Sequence, residues 1–195
     1  MTESVPPRPR RGGLQTAGLV VAIALALAGL LRLMRPPGAG QQAPDFRASI
    51  VANRSDLPSE AETFTLRALR GHAVVLAFWA TWCGPCAAEA PVLDQVARRF
   101  RDRGVVVVGV STDARGQGDP AAYAAARGLT YPIVQDVWDE GRRAYEVDVL
   151  PTLVVVSPAG KIVAVRSEVT DMPEIERLIR DALKSQDVTA PDRRP

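Results

Sequence analysis

The chain is poor in the residues that build metal centres and covalent cross-links. Its 195 residues include two cysteines and one histidine. A structural zinc site takes four ligands, usually two Cys-X-X-Cys pairs or cysteines with added histidines. His72 and one cysteine pair fall short of that set, so no metal is expected. The core must also hold without disulfide bracing, which a domain of about 140 residues can do by burying enough surface. Excess charge of one sign is missing as well. The formal net charge is +2, and the basic residues are spread out or gathered near the ends. With no basic patch interleaved with aromatics, nucleic acid is not an expected partner. There is no internal repeat.

What is present is Trp82-Cys83-Gly84-Pro85-Cys86, which holds both cysteines. A strand-like run, Val74 to Trp79, leads into it and a helix-like run leaves it. A Cys-X-X-Cys pair at such a handover reads as a dithiol/disulfide redox centre. The helix N-terminus directs unpaired N–H groups and the positive end of its dipole at the first sulfur, favouring thiolate. Cys83 is therefore expected to be the exposed nucleophile and Cys86, one turn further in, the buried resolving thiol. Pro85 suits the first helical turn, where its missing N–H costs nothing. A purely structural role is a poor fit, because closing so short a loop removes little chain entropy.

The one long hydrophobic run is at the start. Arg8, Arg10 and Arg11 precede an uncharged stretch from Leu14 to Leu31, and Arg32 and Arg35 follow it. Counted through Met34, the stretch reaches the roughly 20 residues that span a bilayer, with Arg32 snorkelling. The denser positive charge on the N-terminal side places residues 1–13 in the cytoplasm and the rest outside. An uncleaved signal anchor over 14–34 is the leading expectation. A cleaved signal peptide ending at Ala26-Leu27-Ala28 competes with it, as does a fully enclosed soluble helix. Arg10-Arg11 hints at a twin-arginine signal. Residues 35–42 read as a linker, 43–185 as the globular domain and 186–195 as a disordered tail.

Within the domain, Thr63–Leu66 reads as a short strand of an N-terminal extension. His72 falls in the turn before the next strand and reads as a surface residue. A helix from Gly84 to Asp102 carries Cys86, Ala90, Leu93, Ala97 and Phe100 on one face, with a kink expected at Pro91. Val105–Val110 follows as a fully buried strand, making a right-handed parallel crossover. Asp119-Pro120 starts a second helix. Tyr131–Val134 reads as a strand and Val137–Tyr145 as a helix. Thr152–Val156 and Ile162–Val165 flank a turn as a hairpin. Asp171 and Glu174 are spaced as a capping box on a last helix whose buried face is Ile175, Leu178, Ile179, Ala182 and Leu183.

This assembly resembles the thioredoxin fold, and more closely the membrane-anchored TlpA/ResA/DsbE-type thiol–disulfide oxidoreductases. The residues that carry the resemblance are Phe78 to Cys86, Glu89, Pro91, Leu150-Pro151-Thr152 and the opening Ala43-Pro44-Asp45-Phe46. It covers about residues 43–184. The implied fold is α/β: a central mixed sheet flanked by helices, with an N-terminal extension and a helical/strand insert, preceded by one transmembrane helix. The resemblance implies a cis Pro151 facing the cysteines, and substrate contacts from Leu150 and Trp82. It also implies an acid, Glu89, that tunes the pair. Glu89 lies three residues after Cys86, on nearly the same helical face. Thioredoxin's buried Asp in the preceding strand is replaced here by Ala77.

No cofactor is implied. The implied partners are protein disulfides, apocytochrome c among them, and a membrane electron donor of the DsbD/CcdA type. The implied place is the bacterial inner membrane, single-pass, with the domain on the periplasmic side. Rival functions leave weaker traces. A peroxidase needs Pro-x-x-x-Thr/Ser-x-x-Cys, but Leu76 and Ala80 stand at the two positions before Cys83. A copper-assembly factor wants a CxxxC pair and a distant histidine. Oxidase or isomerase use of the same cysteines stays open.

Overall fold

A computed structural model describes residues 20–23, 25–26, 37–58 and 62–185. The chain divides into a unit ending at Pro36 and a unit from Pro37 onward. In the first, residues 20–23, 25 and 26 are helical, with Val20, Val21, Ile23 and Leu25 exposed. Among the described residues no helix is long and apolar enough to cross a membrane. Apart from those six positions, the span expected over 14–34 lies outside the described residues. So do the tails expected over 1–13 and 186–195.

The second unit carries a seven-stranded mixed sheet. Its strands are β1 (Arg47–Ala52), β2 (Thr63–Thr65), β3 (Ala73–Trp79), β4 (Val105–Ser111), β5 (Ile133–Gln135), β6 (Thr152–Val156) and β7 (Ile162–Arg166). They lie in the order β2-β1-β5-β4-β3-β6-β7. β3, β4 and β5 run parallel, and the remaining neighbours pair antiparallel. Every residue of β3 and β4 is buried, as continuous apolar runs covered on both faces require.

Alternation along β3 feeds two cores. Ala73, Val75, Ala77 and Trp79 face the helices α1 (Gly84–Phe100), α2 (Pro120–Ala126) and α4 (Met172–Lys184). Val74, Leu76 and Phe78 face a second core with Phe46, Phe64 and Tyr145. That core is aromatic, with ring centroids 5.4 Å apart for Phe46–Phe64 and 5.6 Å for Phe78–Tyr145. The helix α3 (Glu140–Ala144) leads into Tyr145 on this side.

Several boundaries differ from expectation, each for a local reason. α1 ends at Phe100 rather than Asp102, because a 3-10 turn over Arg101–Arg103 tightens its exit into Gly104 at φ 71°. Pro91 sits inside α1 without interrupting it. α3 starts three residues later than the helix expected from Val137. The Asp136 carboxylate turns back to accept from the N–H groups of Glu140 (2.9 Å) and Arg142 (2.8 Å). The capping box on α4 is one-sided. Asp171 accepts from Glu174 N–H at 3.0 Å, but the Glu174 carboxylate pairs with Arg166 and Arg177. The stretch expected as a linker is docked at its far end. Gly40 N–H donates to Ile162 O, and Ala43 N–H to Gly160 O, both at 2.8 Å.

Candidate active site at the β3–α1 turn

β3 ends at Trp79, and its partner β6 begins opposite Phe78 at Thr152. The turn leaving β3 and the loop entering β6 therefore meet at one end of the sheet. The first carries Thr81, Trp82 and Cys83; the second carries Leu150 and Pro151.

Cys83 caps α1. Its sulfur accepts from Cys86 N–H at 3.2 Å, and its carbonyl accepts from Ala87 N–H at 3.2 Å. The first turn of the helix thus turns the Cys86 N–H to this sulfur at the positive end of the helix dipole, the arrangement that favours negative charge there. Cys83 and Cys86 are joined in a disulfide with Cα atoms 5.3 Å apart. Cys83 is not the exposed member of the pair. It is 5% exposed and Cys86 4%. In the closed ring, the Cys83 side chain folds in over the helix start and joins the core formed by Trp79, Ala80 and Leu93.

The Leu150–Pro151 peptide is cis. Pro151 is buried, and half-buried Leu150 packs on the core that contains both cysteines. Trp82 is 64% exposed, so its indole lies on the surface beside Cys83 in the chain rather than in the core. His72 is exposed, at the turn before β3.

Glu89 is 2% exposed, on the inward face of α1. Its Oε1 accepts from Thr170 N–H at 2.8 Å. Burial raises the Glu89 carboxyl above the usual carboxylate range, and the Thr170 N–H partly opposes this. Glu89 and Cys86 line one small internal cavity together with Ala77, Trp79, Leu93 and Tyr131. Ala77 is small enough to leave this space open. Gly109, paired with Ala77 in the sheet, lies so close that a Cβ there would stand 2.9 Å from Tyr131 Cε2 and Ile133 Cδ1.

Three participants have no signal in spacing or motif. Thr170 reaches Glu89 across 81 residues of chain. Asp113, just past the end of β4, accepts from Thr81, and Ser111, the last residue of β4, donates its hydroxyl to Asp113. A polar Ser-Thr-Asp run after a buried strand marks a strand end, but nothing in it names Thr81 as the target.

A disulfide on a helix N-terminus, with a cis-proline loop packed on the core around it, defines a thioredoxin-like thiol–disulfide oxidoreductase. The chain belongs to the AhpC/TSA family, whose sequence model matches residues 39–165, and within it to the ResA/DsbE-type oxidoreductases. It is 32% identical over 142 residues to the thiol-disulfide oxidoreductase ResA of Geobacillus kaustophilus, covering 71% of this chain and 74% of that one. It is 29% identical over 147 residues to ResA of Oceanobacillus iheyensis, covering 75% and 74%. Among solved structures it resembles a thiol:disulfide interchange protein DsbE from Chlorobium tepidum. That match has a TM-score of 0.65 and 26% identity, and covers 75% of this chain and 98% of that one.

Proposed function

We propose that the chain is a membrane-anchored, extracytoplasmic reductase of protein disulfides. The observation that carries exchange at this pair is the buried Glu89 carboxyl on the same cavity as Cys86, and Gly84-Pro85 between the cysteines, as in thioredoxin, favours the reducing direction. In that direction the Cys83 thiolate attacks a substrate disulfide, forming a mixed disulfide and releasing one substrate thiolate. Cys86 then loses its proton to the Glu89 carboxylate and attacks Cys83 Sγ. The Cys83–Cys86 bond closes, the second substrate sulfur leaves, and two electrons have passed to the substrate. A buried acid with raised proton affinity suits this transfer, because Cys86 has no access to bulk water. Glu89 reaches the cavity from the helix side, where Ala77 leaves the strand side empty. It thereby takes the place of the strand acid that this chain lacks.

Trp82, Leu150 and Pro151 form the substrate-contact surface in this reading. Apocytochrome c before haem attachment is the proposed substrate. A membrane thiol carrier of the DsbD/CcdA type restores the dithiol. The uncharged run from Leu14, with its flanking arginines, supports a single-pass anchor with the domain on the periplasmic side.

The test is the reduction potential of the full-length chain against glutathione and dithiothreitol. Related CXXC proteins span about −270 to −120 mV. A value at the low end supports the reductase. A value at the high end sinks it and makes the protein a donor of disulfides. Protease protection in spheroplasts tests the anchor: a domain that resists added protease in spheroplasts would be cytoplasmic.

A further inference from the structure

We infer that Asp113 is a positioning residue for thiol–disulfide exchange, clamping through Thr81 the turn that carries Cys83. The inference rests on the reading of Cys83 and Cys86 as the exchanging pair.

Asp113 is fully buried (0% exposed), two residues beyond the last residue of β4. Its carboxylate accepts from Thr81 N–H at 3.0 and 3.2 Å, from the Thr81 hydroxyl at 2.8 Å and from the Ser111 hydroxyl at 2.7 Å. Its own N–H donates to Ser111 Oγ at 3.1 Å, and its carbonyl accepts from Gln135 Nε2 at 3.0 Å. A carboxylate taken wholly out of water is costly unless donors surround it. Here both donor groups of one residue, Thr81, are spent on it. That residue is the second before Cys83.

The neighbouring bonds serve the same segment. Thr112 N–H donates to Trp79 O at 2.8 Å, and Cys83 N–H to Ala80 O at 3.1 Å. Trp79 to Cys83 is therefore tied to the exit of β4 at Trp79 and at Thr81, and closed on itself by the Cys83–Ala80 turn bond. Gly118 closes over the clamp. A Cβ there would overlap Thr81 Oγ1 and stand 3.1 Å from Asp113 Oδ1, so the loop approaches this closely only without a side chain.

Ring closure needs both sulfurs within bonding reach. Cys86 is set by α1, whereas Cys83 stands at the helix boundary and depends on the turn before it. Holding Thr81 raises the effective concentration of one sulfur toward the other. The clamp therefore favours the disulfide over the dithiol and makes the reduced protein a stronger reductant. A purely structural bond would stabilise both redox states alike and leave this balance unmoved.

The experiment equilibrates the full chain with reduced and oxidised glutathione. Protein dithiol and one glutathione disulfide exchange with protein disulfide and two glutathiones. Asp113→Asn keeps the shape and removes the charge. Thr81→Val removes one donor and keeps the size, and Thr81→Ser restores the hydroxyl. The equilibrium constant for ring closure should fall about tenfold in Asp113→Asn and about threefold in Thr81→Val, and Thr81→Ser should match the parent. A folded Thr81→Val protein with the parent's constant overturns the inference, whatever its melting temperature, and keeps the test decisive if Asp113→Asn does not fold. A parent protein whose cysteines do not equilibrate with glutathione overturns the redox reading itself, and the clamp with it.

Discussion

The turn that carries Cys83 is flanked by two buried carboxylates held in opposite ways. Asp113, on the β4 side, receives the Thr81 N–H and two hydroxyls. Glu89, on the α1 side, receives one N–H, from Thr170, and faces a cavity shared with a cysteine. Donors all round make Asp113 a fixed part of the frame, whereas Glu89, raised by burial, has a single donor and empty space beside it. Burial is nearly equal at 0% and 2%, and what differs between them is the number of donors that reach each carboxylate.

The largest effect that would break this picture is at the sulfurs. Cys83→Ser should abolish substrate reduction, whereas Cys86→Ser should still attack and accumulate a mixed disulfide, visible by intact mass. The same residual activity in both variants would remove the assigned order of attack.

Asp113→Ala should come next, costing about 3 kcal/mol in urea unfolding, because it strands buried donors on Thr81 and Ser111. Glu89→Gln should do the reverse and split stability from activity. Exchange should slow about a hundredfold, while stability at pH 7 stays level or rises. The sign follows from linkage. The Glu89 carboxyl is raised in the fold, so the stability tied to its neutral form is complete below its unfolded pKa. That stability is lost as pH rises through the folded value. Glutamine carries no such loss, so its advantage over the parent should grow from pH 4 to pH 8. An advantage that shrinks with pH would show Glu89 to be held as an anion.

Gly118→Ala should cost about 1–2 kcal/mol, since its Cβ has to push Thr81 off the clamp. The smallest effect is expected at Trp82. Trp82→Ala should leave stability within about 0.5 kcal/mol, because the indole is largely exposed. It should weaken substrate reduction through KM. A change in kcat alone would place Trp82 in the chemistry instead of the contact surface.

How much was legible can be judged residue by residue. The Cys-X-X-Cys pair, the buried runs of β3 and β4, and the apolar face of α4 are local patterns, and each is a strand or helix where its period places it. Strand β1 carries little signal of its own, because Arg47–Ala52 alternates polar and apolar only as far as Ile50 and then runs on apolar. It becomes a strand through pairing with β2 and β5. Residues 35–42 read as a linker by composition, yet Gly40 and Gln41 are pinned to Ile162 of the β6–β7 hairpin. Glu89 was visible as a position on the cysteine face of the helix; Asp113, thirty residues from Cys83, was not.

The sequence by itself determined the reactive pair, its place at a strand-to-helix handover and the mixed α/β layering. Those depend on spacing and on hydrophobic period, which are properties of neighbouring residues. Only the tertiary structure decided that Cys83 is as buried as Cys86, that Glu89 and Cys86 share a cavity, and which carboxylate is held fast. Burial and hydrogen-bond partners depend on chain segments brought together from far apart: Asp113 lies 32 residues from Thr81, and Thr170 lies 81 from Glu89. No local pattern encodes the donors that a buried charge will meet.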